Sequence, residues 1–106
     1  MAKFLITASY TAAGLKGLQK DKASGRREAV RQACESIGGK LDAFYLAFGQ
    51  DDVVTIVDLP DNVAASALSL AVSATGLVRT RTTVMLTVEE ADKALAASVK
   101  FRGAGT

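Results

Sequence analysis

The chain of 106 residues contains no histidine and only one cysteine. Without histidine it lacks the commonest general base and the commonest metal ligand of proteins, and it has no Cys/His spacing typical of a zinc site. It also has no glycine-rich phosphate loop. The single cysteine, Cys34, excludes an internal disulfide. We therefore expect no metal and no cofactor, and the sequence identifies no catalytic residue.

Strong net charge and long apolar runs are absent as well. The formal net charge is +2, which is too small to demand a nucleic acid or an anionic membrane as partner. The opening MAKFLI is too short for a signal peptide, and serines and Gly76 interrupt the most apolar later segment, residues 63–78. We expect a cytoplasmic protein with no nucleic-acid partner and no membrane partner.

The residues that are present predict a folded chain. Hydrophobic residues make up 49% of the sequence, which is incompatible with a disordered protein. The length fits one domain, which we place at residues 1–99, with a C-terminal tail at residues 100–106.

The most informative stretch, residues 40–61, predicts two strands joined by a tight turn. β-Branched and aromatic residues dominate both arms, 41–48 and 53–59, as strands prefer. The turn between the arms is polar and begins with glycine, which tolerates a positive φ; it consists of Gly49, Gln50, Asp51 and Asp52.

Both faces of this hairpin carry apolar side chains. Regular alternation along the first arm places four residues on one face: Asp42, Phe44, Leu46 and Phe48. An antiparallel sheet with one solvent-exposed face carries polar residues at alternate positions. The hairpin departs from this pattern because Phe44, Leu46 and Phe48, together with Ile56 of the second arm, are apolar. Burial of each such side chain is worth about 1.5–3 kcal/mol. We therefore predict that the chain's own helices cover one face and another subunit covers the other.

Further strands are predicted at residues 3–10 and 77–87. The first helix begins at Ala12 after the cap Thr11, is broken within residues 20–25 and ends at Gly38-Gly39. A second helix, capped by Asp61 or Asn62, covers residues 63–75. A third begins after the capping-box pattern Thr87-Val88-Glu89-Glu90 and runs to about residue 99. The order is that of an α+β, ferredoxin-like β-α-β-β-α-β fold with an extra C-terminal helix.

The second predicted helix contains no charged residue. A helix without a charged face is usually buried on more than one side. It is therefore a second, independent indication of a subunit contact, and we add its large side chains to the predicted interface: Leu68, Leu70 and Val72.

Three stretches resemble the GYD-domain family of small bacterial proteins: KFLITASYTAAGLKGL, ESIGGKLDAFYLAFGQDDVVTIVDLPDN and VRTRTTVMLTVEEADKA. The resemblance implies a dimeric α+β-barrel assembly and gives no catalytic assignment. The family typically carries a tyrosine between glycine and aspartate in the turn. In this chain Gly49 and Asp52 are retained, but the two residues between them are Gln50 and Asp51. An activity that depended on the tyrosine would therefore be missing. If the turn is only structural, the replacement would have little effect.

Candidate ligand-binding residues lie on the strands and in the turn. Arg79 and Arg81 share a strand face, and with Tyr10, Tyr45 or Asp42 nearby they would clamp a carboxylate or phosphate. The alternative is that they pair with acids at a subunit contact or lie in solvent. Asp52, with its neighbour Asp51, would serve as a base or hold a cation, but a turn that caps its own amides is the simpler interpretation.

Asp42 and Asp58 stand on otherwise apolar faces, where a carboxyl group would have a raised pKa unless it were paired. Cys34 falls on an apolar helical stripe and is best interpreted as a small buried hydrophobe. The fold also serves as an RNA-binding module, but the strand at 53–59 has no aromatic side chain on which bases would stack.

Two functions remain compatible with the sequence. The first is a homo-oligomer, a dimer or larger, that packs through its sheet face and has a structural role or binds a small apolar or anionic ligand. The alternative is a cofactor-independent enzyme of the oxygenase or isomerase type, by analogy with other proteins of dimeric-barrel fold. Its working residues would be Arg79, Arg81, Tyr45, Asp42 and Asp52.

Overall fold

The computed structural model describes residues 1–106. The elements follow the predicted order along the chain: β1 (Ala2–Tyr10), α1 (Ala12–Ser36), β2 (Lys40–Leu46), β3 (Val53–Leu59), α2 (Asn62–Ser73), β4 (Val78–Met85) and α3 (Val88–Ala96). The strands form one antiparallel sheet in the order β2-β3-β1-β4. This arrangement confirms the predicted α+β, ferredoxin-like fold with an extra C-terminal helix.

Side-chain caps fix the starts of all three helices. The Thr11 hydroxyl accepts a hydrogen bond from the amide of Gly14 at 3.2 Å, and the Asp61 carboxylate accepts one from the amide of Ala64 at 2.9 Å. Thr87 and Glu90 form the predicted capping box. Each contact satisfies an amide that has no partner within its helix. The predicted starts of α1 and α3 are confirmed, whereas α2 begins at Asn62, one residue before the predicted start, because Asp61 is its cap.

Helix α1 contains a kink at Lys22, whose φ of 65° is non-helical. The kink lies inside the predicted break at residues 20–25. Beyond it the helix places Val30, Ala33 and Cys34 against the sheet, and Gly38, with φ of 80°, follows its end. The two halves of α1 therefore point in different directions, and only the second half covers the centre of the sheet.

One face of the sheet forms the core with α1 and α2. Alternate side chains of β1 and β3 point into it, because strand residues two apart share a face. Cys34 is fully buried there, as predicted, and burial raises the pKa of its thiol. The core residues come from both layers: Phe4, Ile6, Cys34, Val57, Leu59, Ala65 and Leu68.

A β-bulge in β2 changes the faces predicted for that strand. Leu41 pairs with Val57, and the next paired residue, Ala43, is opposite Ile56. Asp42 is therefore an extra residue, and the alternation shifts by one position beyond it.

The bulge corrects the predicted placement of the aromatic and aliphatic residues of β2. Phe44 pairs with buried Thr55 and Leu46 pairs with buried Val53, so both lie on the helix side. The prediction that they share a face with Asp42 is wrong, because it assumed regular alternation. Tyr45 instead points to the open face, and the exposed side chain of Phe48 lies in the turn that follows β2.

Helix α2 buries one side only. Leu68 belongs to the core and Val72 packs against it, so Leu70 is the predicted interface residue of this helix that is free to contact a partner. It is 71% exposed. No helix of this chain is both long and apolar enough to cross a membrane.

Candidate functional site

A largely apolar pocket lies between the helices and the sheet. Its volume is about 170 Å³, and 12 of its 16 lining residues are hydrophobic. An apolar cavity of about 150 Å³ can hold a molecule the size of benzene. The pocket therefore suits a small ligand with one ring or a short apolar chain.

Six elements contribute to the apolar walls, and local geometry explains the contributions of β1, α1 and β2. β1 contributes alternate residues, Ile6 and Ala8, because they share the helix-side face. Helix α1 contributes Val30 and Ala33, which lie one turn apart beyond the kink. Phe44 of β2 lines the pocket as well, and it does so only because the bulge turns it to the helix side.

Most hydroxyl groups in the walls already have partners. Thr55 donates its hydroxyl hydrogen bond to the carbonyl of Ile6 at 2.8 Å. The hydroxyls of Ser69 and Thr82 are 2.7 Å apart, and those of Ser73 and Thr80 are 3.0 Å apart. The two strongest polar groups left at the pocket are Tyr10 and Arg26, both of which line it.

Tyr10 is held at the end of β1 by the turn between β2 and β3. The Asp52 carboxylate accepts a hydrogen bond from the backbone amide of Tyr10 at 2.8 Å, and the amide of Asp52 donates to the carbonyl of Ala8 at 2.9 Å. Burial raises the pKa of the Tyr10 phenol, and the positive charge of Arg26 offsets part of that rise. The phenol is therefore protonated at neutral pH and can donate a hydrogen bond.

Arg26 reaches the pocket from the part of α1 beyond the Lys22 kink. One guanidinium nitrogen donates to the Asp21 carboxylate at 3.3 Å. An arginine has five N–H donors, so this single contact leaves others available. Together, Tyr10 and Arg26 provide donors for a ligand carboxylate or carbonyl at one place on an otherwise apolar wall.

The residues predicted to bind a ligand do not meet in one site of the subunit. Arg79 and Arg81 lie on β4, at one edge of the open face, opposite Ser9 and Thr7 of β1. Tyr45 and Asp42 belong to β2, at the other edge. Three inter-strand steps, about 14 Å in all, separate these edges.

Ion pairs occupy several of these charged groups. Arg81 contacts the Asp51 carboxylate at 2.6 Å. The ammonium group of Lys3 contacts Asp42 at 2.5 Å and Asp58 at 2.8 Å. The hydrogen bond from Lys3 lowers the pKa of Asp42, and the bonds to Asp42 and Asp58 raise the pKa of Lys3. Asp42 is therefore a stable anion at neutral pH, which makes it a poor proton donor or acceptor there.

Comparison with known families adds to this geometry. A family model, that of the GYD domain, matches residues 4–95 of the 106-residue chain. The chain belongs to the GYD domain family. The predicted resemblance is thus confirmed. No curated protein and no solved structure matches this GYD-domain chain.

In this GYD-domain chain the turn at residues 49–52, which contains no tyrosine, fixes two neighbouring strands. Asp52 holds the end of β1 through Tyr10, and Asp51 holds β4 through Arg81. The turn therefore positions one wall of the pocket even though its own side chains do not line the pocket.

Sequence reasoning did not select Tyr10 and Arg26 as a pair. Tyr10 alternates with Phe4 and Ile6, so its position on the core face was visible in the sequence. Arg26 precedes Val30 by four residues and therefore shares its helix face. Their proximity at the pocket also depends on the direction that α1 takes after the kink, which has no simple sequence signal.

Proposed function

We propose that this protein is a homo-oligomer, assembled through the open face of its sheet, that binds a small apolar ligand with one acidic or carbonyl end. The pocket beside Tyr10 and Arg26 is the observation that carries the ligand part of this proposal. Its apolar walls match the body of such a ligand, and its two polar groups match the ligand's polar end.

The composition of the open face supports assembly. The face that no helix covers carries apolar side chains in the middle of the sheet, on both central strands: Leu5, Val54 and Ile56. A partner's sheet laid on this face would remove them from water, which is worth about 25 cal/mol for each Å² of apolar surface.

The partner proposed for this face is a second copy of the same chain. A two-fold axis between two packed sheets would bring the apolar centre of the face of one subunit onto the same centre of its partner. The carboxylates of Asp42 and Asp58, near one corner of the face, are already paired with Lys3, so this packing would leave neither of them unpaired.

Native mass spectrometry of the untagged protein from its own host, beside a denatured spectrum, tests the ligand directly. We expect multiples of the subunit mass that carry a reproducible small additional mass. Ala29→Leu fills the pocket wall and should remove the additional mass. Ala23→Leu places the same side chain on the exposed surface of α1, outside the pocket, and should retain it. Ligand mass that persists in Ala29→Leu would contradict this location.

The alternative function is a cofactor-independent enzyme of the isomerase or oxygenase type. It is favoured by the meeting of a protonated phenol and a guanidinium in one apolar pocket, since both can polarise a carbonyl oxygen. Incubation of the released ligand with purified protein distinguishes the two functions. Chemical conversion that Tyr10→Phe abolishes would establish the enzyme, whereas an unchanged ligand would support binding alone.

A further inference from the structure

Helix α3 extends away from the rest of the subunit. None of its nine residues is buried. The radius of gyration is 16.8 Å and the longest dimension is 57 Å, whereas a compact chain of this length has a radius of gyration of about 13 Å. The helix and the residues after it therefore form a projecting arm, residues 86–106, which we call the C-terminal arm.

The arm has a well-formed helix that its own subunit does not support. The amide of Thr87 donates to Glu90 at 2.9 Å and the amide of Glu90 donates to the Thr87 hydroxyl at 3.1 Å. Even so, an isolated helix of nine residues is marginal in water and needs packing of an apolar side. Helix α3 has such an apolar side, formed by Val88, Ala91 and Leu95 at helical spacing. This side is not covered, since Val88 is 74% exposed and Leu95 is 84% exposed.

A groove that fits such a helix lies between α2 and the edge strand β4. Small side chains, Ala65, Ser66 and Ser69, form part of its floor and allow close approach of another backbone. Exposed Leu70 and Val84 supply apolar contacts beside them. The groove carries no charged residue, so an apolar helix face can enter it without removing a charge from water.

The exposed area of the subunit matches association with a further copy. The accessible surface is 7381 Å². A compact monomer of this mass exposes about 5,600 Å², which leaves an excess of roughly 1,800 Å². A standard protein interface buries about 800 Å² on each partner, so the excess is large enough for an interface in addition to the sheet contact.

We propose that the C-terminal arm docks its α3 helix into the α2–β4 groove of a second copy of the chain. Arm and groove are carried by the same chain, so two copies related by a two-fold axis can exchange arms and fill both grooves at once. No residue of α3 is buried within its own subunit, so the helix does not fill the groove of its own chain. This inference rests on the homo-oligomer proposed above and specifies a second contact within it.

Cross-linking between two differently tagged chains tests the arm directly. One chain carries Leu95→Cys on the arm and the other carries Ser66→Cys in the groove; they are co-expressed and treated with a short bismaleimide. The native Cys34 is fully buried and its thiol pKa is raised, so it should not react. We expect a cross-linked species that contains both tags. Replacing Ser66→Cys with Gln50→Cys, an exposed site in the β2–β3 turn, should remove that species.

Three outcomes would overturn the inference: absence of the mixed species, equal yield with Gln50→Cys, or cross-linking that occurs only within a single chain carrying both Leu95→Cys and Ser66→Cys. Sedimentation of the unmodified protein separates this inference from the proposed oligomer. A dimer mass without the mixed cross-link overturns arm exchange alone, whereas a monomer mass overturns both.

Discussion

At the scale of single residues, Asp51 and Asp52 show how two adjacent and identical side chains acquire different roles. Asp52 binds a backbone amide at the end of β1, whereas Asp51 forms an ion pair with an exposed arginine. A charge-assisted hydrogen bond contributes about 1.5–3 kcal/mol, while an exposed ion pair contributes about 0–1 kcal/mol. The two carboxylates therefore differ in their expected importance for stability.

Asp52→Ala should lower the free energy of unfolding by about 1.5–3 kcal/mol, since the Tyr10 amide loses its acceptor. Asp51→Ala should lower it by less than about 1 kcal/mol. Urea denaturation of both variants measures the difference. Equal losses would show that the bond to Tyr10 contributes no more than the surface pair.

The Lys3 cluster predicts a specific dependence of stability on pH. The pKa of Asp42 in the folded protein lies below its unfolded value. The ionised carboxylate therefore stabilises the fold fully at pH values above the unfolded pKa, about 3.9. This stabilisation is lost as the pH falls through the folded pKa. Lys3 has a raised folded pKa, and its contribution is present below an unfolded pKa of about 10.4 and lost as pH rises through the folded pKa.

Lys3→Met should therefore flatten both the acid and the alkaline limbs of the stability profile relative to the unmodified protein. Urea midpoints measured from strongly acidic to strongly alkaline pH provide the test. Other carboxylates, such as Glu90, titrate in both proteins and cancel in the comparison. A constant difference between the two profiles at every pH would contradict a coupling between Lys3 and Asp42.

At the scale of elements, the start of α1 packs tightly against the chain before β4. A Cβ atom added to Gly14 would lie 2.0 Å from the carbonyl oxygen of Leu77, whereas one added to Gly17 would meet no atom within 4 Å. In an open helix position alanine is favoured over glycine by about 1 kcal/mol. Alanine substitutions at these two glycines are therefore expected to have opposite effects on stability.

Gly17→Ala should raise the thermal midpoint and Gly14→Ala should lower it, because only the second substitution forces α1 away from Leu77. Calorimetry of the two variants compares them on the same helix. An increase in the midpoint of Gly14→Ala would mean that the helix start can move without cost.

Elements of this chain were largely predictable from local signals. Thr11, Asp61 and the Thr87 capping box each marked a helix start through short-range chemistry. The faces of β2 were not predictable, because the bulge at Asp42 is set by the pairing of β2 with β3. The sequence of β2 alone does not indicate where the bulge lies. The pocket was missed for a related reason, since the approach of Arg26 to Tyr10 depends on the direction of a kinked helix.

At the scale of the whole molecule, assembly is expected to depend on the open face of the sheet. Ile56→Asp places a charge in the middle of that face and should shift the equilibrium towards monomers, because only the arm contact would remain. Ala23→Asp introduces the same charge on the exposed surface of α1 and should leave the mass unchanged. Light scattering during size-exclusion chromatography measures both. An Ile56→Asp protein that associates as strongly as the unmodified protein would show that the open face does not hold the subunits together.

Both proposals begin from one property of the molecule, its uncovered apolar surface, and the most direct measurement is the mass of the unmodified protein in solution. Sedimentation equilibrium of the full chain at low micromolar concentration provides it. We predict a dimer or a larger multiple of the 11.0 kDa subunit. A single species of 11.0 kDa under those conditions would show that further copies of the chain do not cover this surface.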